Sequence, residues 1–254
     1  MKKIALTVAL SAVGLSLVIP AFAAAPAKIS SVAPIADIAA QADARVKILE
    51  ESLKSDEEFN KAKGKTIPSE AGVLAVLAQA IAESDEKAGW QATAPDVRDA
   101  ALALNKAKTY DDAKKEFAAV KDAIGGKSSG AKVEYDWAKL IKLGTAMDQI
   151  SKRNGKFRRN TKKTNASEAE INEMIGDATV AAVLALSTHE DTHEVKSKKA
   201  EDIDLWKKFA KEYQTHISAT AAALKNKDLT AAADAWKKSS QACNDCHAKF
   251  KEGE

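Results

Sequence analysis

The sequence predicts an all-α fold, two antiparallel four-helix bundles in tandem, on three grounds. Only 5% of the 254 residues are aromatic and five are proline. Alanine, lysine, glutamate and aspartate abound instead, whereas sandwiches and barrels need β-branched and aromatic strands with frequent turns. Apolar residues recur at the helical period along almost the whole chain, and no convincing stretch alternates with period two. The two halves also resemble each other, each reading as four helices. With 45% apolar and 30% charged residues, the composition is that of a globular protein.

The chain opens with Met1-Lys2-Lys3, a nearly continuous apolar run from Ile4 to Pro20, and Ala21-Phe22-Ala23, the small–x–small pattern that a signal peptidase cleaves. Residues 1–23 are expected to be a signal peptide, with the mature chain starting near Ala24 and exported, most simply to a bacterial periplasm. No cysteine beside the cleavage site offers a lipid attachment point. No other uncharged apolar stretch is long enough to span a bilayer, so the mature chain is expected to have no membrane span. The formal charge of +3 drops to +1 without Lys2 and Lys3, which argues against nucleic-acid binding driven by net positive charge.

In the first half, residues 24–125, helices are expected near 34–54, 69–86, 95–107 and 109–124. The second follows Pro68-Ser69, the third has Pro95 in its first turn, and Thr109-Tyr110-Asp111-Asp112 forms a cap for the fourth. Gly125-Gly126-Lys127-Ser128-Ser129-Gly130 ends that helix and makes residues 126–132 the expected flexible linker. In the second half, residues 133–254, helices are expected near 133–158, 167–192, 201–225 and 228–250. Ser167-Glu168-Ala169-Glu170 has the spacing of a capping box, and Asn226-Lys227-Asp228 turns into the last helix. Trp137, Leu140, Ile141, Gly144 and Met147 share one face of the first of these helices. Ile203, Trp206, Ala210, Tyr213, Ile217 and Leu224 share one face of the third. Small residues such as Gly144 would let helices approach closely or leave room for a flat ligand.

The repeat is visible in particular residues. Ala75-Val76-Leu77-Ala78 matches Ala182-Val183-Leu184-Ala185, and Ala113, Phe117 and Ala123 align with Ala232, Trp236 and Ala242. In that frame Ile124 falls opposite Cys243, and Lys127 and Ser128 fall opposite Cys246 and His247. One copy therefore carries a cysteine motif that the other lacks.

That motif, Cys243-Asn244-Asp245-Cys246-His247, contains both cysteines of the chain. C-x-x-C-H is the attachment pattern of c-type haem. Two thiols three residues apart on a helix can each add to one vinyl group of a porphyrin edge, and the adjacent histidine presents an imidazole nitrogen to the iron. A zinc site would need further ligands and has no third cysteine. A thiol–disulfide oxidoreductase sets its C-x-x-C at a helix start in an α/β context, which this chain lacks. A bare structural disulfide would not need His247. One covalent haem c is the expected cofactor, and four-helix bundles place cofactors in their shared apolar seam.

The terminal run Cys243-Asn244-Asp245-Cys246-His247-Ala248-Lys249-Phe250-Lys251, closing an all-helical exported domain, resembles the class II cytochromes c, the cytochrome c′ and cytochrome c556 group. The resemblance covers roughly residues 133–254 and is specific in the terminal motif. It implies a four-helix bundle of cytochrome c′ type with haem on its last helix, Cys243 and Cys246 as thioether residues and His247 as proximal iron ligand. It also implies a first-helix residue over the other face of the iron. In the c556 type that residue is a ligating methionine, for which Met147 is the candidate. In the c′ type it is non-ligating, and Leu140 and Leu143 would then shield a five-coordinate iron. The first half departs from the family by lacking C-x-x-C-H and is expected to hold no haem. The function so implied is that of a mono-haem carrier of single electrons between redox partner proteins, not an enzyme. The alternative is a protein that binds or senses small gases such as nitric oxide or carbon monoxide at five-coordinate iron. A homodimer stays open.

Other residues read less sharply. His189-Glu190-Asp191-Thr192-His193 matches H-E-x-x-H, the zincin pattern, but Asp191, Glu194 and Lys196 mark a solvated helix end. His216 lies beside the stripe of the third helix and rivals Met147 as a ligand. Trp206, Tyr213 and Trp236 are core residues that could also pack on a haem. Lys152, Arg153, Lys156, Arg158, Arg159, Lys162 and Lys163 form a basic run, read either as a solvated helix end or as a patch for propionates or an acidic redox partner.

Overall fold

The computed structural model describes residues 28–160 and 166–251. The expected signal peptide, 1–23, lies outside the described residues, as do Lys162 and Lys163. Among the described residues every regular element is helical. The first half forms α1 (Ile35–Ser52), α2 (Asp56–Ala62), α3 (Thr66–Ala82), α4 (Ala94–Lys106) and α5 (Tyr110–Ile124). The second forms α6 (Leu143–Asn160), α7 (Glu168–Glu190), α8 (Ala200–Lys225) and α9 (Leu229–Phe250). None of these helices is long and apolar enough to cross a membrane.

The ends of the helices follow from their caps. The Thr109 hydroxyl accepts from the Asp112 amide at 3.1 Å to start α5, and Asp228 accepts from the Ala231 amide at 2.9 Å to start α9. At the head of α7 the capping box closes in both directions between Ser167 and Glu170. The short α2 is an addition to the expected four helices of its half. It begins at Ser55, whose hydroxyl accepts from the Glu58 amide, and it buries Phe59 against Tyr110.

The largest departure is at the start of the second half. The helix expected over 133–158 begins only at Leu143, because the preceding backbone is held by the first half. Arg98, nearly fully buried in α4, donates to the carbonyls of Lys132 (2.9 Å) and Val133 (3.2 Å) and lies over the Tyr135 ring at 4.4 Å. Gln79 of α3 donates to the same Val133 carbonyl at 2.9 Å. With those carbonyls engaged sideways, the segment stays extended until Asp136 caps a single 3₁₀ turn at Trp137–Lys139. Trp137, Leu140 and Ile141 therefore leave the stripe expected on α6 and pack into the main core instead. Gly144 is exposed, with open space where a Cβ would sit, so it mediates no close helix approach.

The expected flexible linker is a pinned strap. The buried Asp96 carboxylate accepts from the Ser128 hydroxyl, the Ser129 amide and hydroxyl, and the Ala131 amide at 2.5–3.3 Å. Those hydrogen bonds hold the carboxyl below its usual range against the opposing effect of its burial. Gly126, at φ +93°, makes the turn into the strap that a side chain would resist.

α3 and α7 are the repeat's matching helices and lie side by side at the centre. Ala75-Val76-Leu77-Ala78 and Ala182-Val183-Leu184-Ala185 are each at most 1% exposed, which is why both helices are apolar on nearly every side. Gly176 of α7 leaves room for the end of the Gln41 side chain of α1, whose amide nitrogen would stand 2.5 Å from a Cβ there. One continuous core runs from α1 through α9 across both halves. The two last helices differ in reach: α5 stops at Ile124, and α9 continues past the aligned position through the cysteine motif to Phe250.

Candidate functional site

Cys243, Cys246 and His247 lie on the last two turns of α9. Spacings of three and four residues bring them to one face, while Asn244 and Asp245 point to solvent. The face is set against α8 by flanking contacts. Phe250 packs edge-on to Trp206 and Phe209, with ring centroids at 5.4 and 6.5 Å, a geometry that suits aromatic quadrupoles. Lys249 reaches Asp202 at 3.1 Å, and the Ser197 hydroxyl and Lys249 together hold that carboxyl below its usual range. Trp206 is fixed in turn by donating to the Thr188 carbonyl at 2.7 Å.

α6 stands opposite. It packs on α7 and α3, and α8 and α9 face it across a gap rather than closing on it. The gap is a cleft of about 420 Å³, open mouth included, lined by Met147 and Ile150 from α6, Trp206, Phe209 and Tyr213 from α8, and Cys243, Cys246 and His247 from α9. The space enclosed between these walls is about 40 Å³, and the rest is the open mouth. Ala210 and Ala242 also line it, and their small side chains leave the space open. Met147 is thus set across the cleft from the cysteine motif, within a satellite cluster that includes Leu143, Trp206, Cys246 and Phe250.

The two sulfurs are not joined to each other. Burial pushes the Cys243 thiol up to about 12, with Cys246 beside it adding to the effect, and pushes Cys246 up to about 11. Both thiols are therefore neutral near pH 7. Asn154 of α6 donates to the Cys243 sulfur at 3.9 Å and accepts from the Tyr213 hydroxyl at 3.3 Å. Burial keeps that phenol protonated, its pKa well above the ordinary value. His247 is exposed, and its ring has no hydrogen-bond partner among the described residues. The donor set is therefore two unpaired thiols, a free imidazole and a facing thioether on an apolar cleft. Two thiols, an imidazole and a thioether beside apolar walls are the donor types that covalent haem attachment uses.

The other sequence candidates fall away from the cleft. Leu143 borders it, whereas Leu140 is fully buried in the main core. His216 is half-buried on α8 and does not line the cleft, and Trp236 packs on the main core. H-E-x-x-H does not fold as a zincin helix, because α7 ends at Glu190 between the two histidines. His189 pairs with Glu190 at 2.7 Å, and His193 pairs with Asp191, whose carboxylate raises its pKa. Among the described residues no group of three potential metal ligands occurs. The basic run is not one surface patch either. Arg153 is buried against Asp177, and Lys156 pairs with Glu173 and Asp177, leaving Lys152, Arg158 and Arg159 exposed.

Phe209 and Asn154 were missed. Phe209 sits three residues after Trp206 and four before Tyr213, a spacing that marks it as a neighbour of the stripe. Asn154 carries no signal, because its partner is a sulfur 89 residues away. Comparison with protein-family models, with curated proteins and with solved structures finds no match.

Proposed function

We propose that this chain is an exported mono-haem c-type cytochrome that carries single electrons between redox partner proteins. One observation carries the reading: Cys243, Cys246 and His247 share the apolar cleft with Met147 on the opposite helix. Haem bound there supplies a one-electron iron couple whose potential follows its axial ligands and burial. Cys243 and Cys246 would hold it through thioethers, so retention does not depend on the thin contacts of an open cleft. His247, exposed and unpartnered, is free to turn its imidazole to the iron. Met147 offers a soft thioether on the far side, which raises the potential and favours low-spin iron. Trp206, Phe209 and Ile150 exclude water from the ring, and Asn154 and Tyr213 fix the Cys243 side of it.

The test is the absorption spectrum of protein matured with haem, beside a Met147→Leu variant. The reading expects low-spin six-coordinate iron with a methionine–iron charge-transfer band. The variant should keep its haem, lose the band and show a lower reduction potential. High-spin five-coordinate iron that binds carbon monoxide in the unsubstituted protein would overturn electron transfer through Met147 in favour of a gas-binding haem protein.

A further inference from the structure

The haem-less half has no cofactor motif, yet it reaches the helix that forms the far wall of the cleft. α6 packs mainly on α7 of its own half and on α3 of the other, with Asn154 also bonding it to α8 and α9. A polar side chain on its buried face contacts α3, and a second one fixes it. Gln149, at 2% exposure, donates its amide to the Ser69 hydroxyl of α3, itself 7% exposed. Gln149 is fixed in turn by Arg153, which donates to its backbone carbonyl at 2.8 Å and to its side-chain oxygen at 2.6 Å. Arg153 is 4% exposed and sits where four other helices meet: Asp177 of α7, Arg45 of α1, Glu70 of α3 and Tyr213 of α8 are its charged and titratable neighbours. Arg45 and Glu70 pair with each other at 3.1 Å beneath it. Its contacts are Gln149 and, at 3.5 Å, Asp177, while Arg45 opposes its charge and its Nε lacks a hydrogen bond; moving it would leave charges unpaired in a low-dielectric interior.

The residues next to these anchors reach the cleft or the thiol that lines it. Met147 precedes Gln149 by two positions, and Asn154, which holds the Cys243 sulfur, follows Arg153 directly. We infer that the haem-less half completes the cofactor site: Ser69 and Glu70 act through Gln149 and Arg153 as positioning residues that fix α6, and with it Met147 and Asn154, against the thiols of α9. The inference rests on the haem reading above. It gives the first half a role beyond docking. Its α3 is a second buttress, beside α7, for the distal helix of the cleft.

The test uses the full haem-loaded chain. Ser69→Ala removes the acceptor for Gln149, Glu70→Gln is a milder change to the charges around Arg153, and Thr93→Val is the control. Thr93 loses a comparable buried hydrogen bond, to the Ala123 carbonyl at 2.6 Å, in the same half but away from α6. Carbon monoxide association with the reduced protein and the reduction potential are read in each. Both Ser69→Ala and Glu70→Gln should retain haem by peroxidase staining while carbon monoxide association changes by about twofold to thirtyfold, the span of coupling seen between contiguous sites. The control should lose stability without that change. If Ser69→Ala does not fold, Glu70→Gln decides. Haem-loaded variants whose association rate and potential match those of the control overturn the inference and leave the haem reading standing. An unsubstituted protein that takes up no haem overturns both.

Discussion

On the proposed reading Cys243 and Cys246 carry the chemistry, and their environment makes that role checkable before any haem is present. Each thiol is an acid whose folded-state pKa, about 12 and about 11, lies above the ordinary 9.0. Such a group stabilises the fold fully below its unfolded pKa and loses that contribution as pH rises through the folded value. In the haem-free protein the denaturation midpoint should therefore decline between about pH 9 and about pH 12. The haem-loaded protein, whose thioether sulfurs bind no proton, should lack that component. Alkylation tests the same point kinetically, because the thiolate is the nucleophile. At pH 8 both cysteines of the haem-free chain should react far more slowly than a free thiol, Cys246 before Cys243. Equal, rapid labelling of both would contradict the burial that defines the cleft.

Individual helices show where the residue pattern sufficed and where it did not. Helical period, proline placement and Ser-x-x-Glu caps place eight of the nine helices, several of their ends to within a residue or two, because those signals are local. The capping box at α7 is one such signal: Ser167→Ala should cost about 1 kcal/mol in chemical denaturation. The segment after the strap was illegible for the opposite reason. Residues 133–142 have a helical pattern, but Arg98 and Gln79, from other elements, take the carbonyls of Lys132 and Val133 at its head, and nothing in the local sequence announces that capture. Arg98→Ala should expose the cost, on the order of 2–4 kcal/mol, since it strips charged donors from the buried Gln79 side-chain oxygen and from the part-buried carbonyls of Lys132 and Val133. A loss below about 1 kcal/mol would mean that the strap is held by other contacts. The cysteine motif and its opposing methionine were readable in the same local sense. The cleft between them was not, because it depends on α6 leaning on α3 and α7 rather than on α9.

At the scale of the molecule, the repeat has diverged in one decisive place. Both copies bury the matching alanines, and Phe117 is buried where Trp236 is partly so, yet α5 ends at Ile124, opposite Cys243, where α9 continues for two further turns with the second thiol and the imidazole. On the proposed reading one copy serves the cofactor and the other serves packing. Because the core runs unbroken through both halves, unfolding should be a single cooperative transition. Tryptophan fluorescence, with Trp90 and Trp137 packed on that core and Trp206 at the cleft, should coincide with far-ultraviolet circular dichroism. Two separated transitions would show that the halves fold as independent units. The central claim, a haem joined covalently to α9, is tested most directly by the intact mass of protein matured in a host competent for haem attachment. The mass should exceed that of the processed polypeptide by one haem, and Cys243→Ala/Cys246→Ala should abolish the increment. A mass equal to the bare polypeptide from such a host would contradict the account.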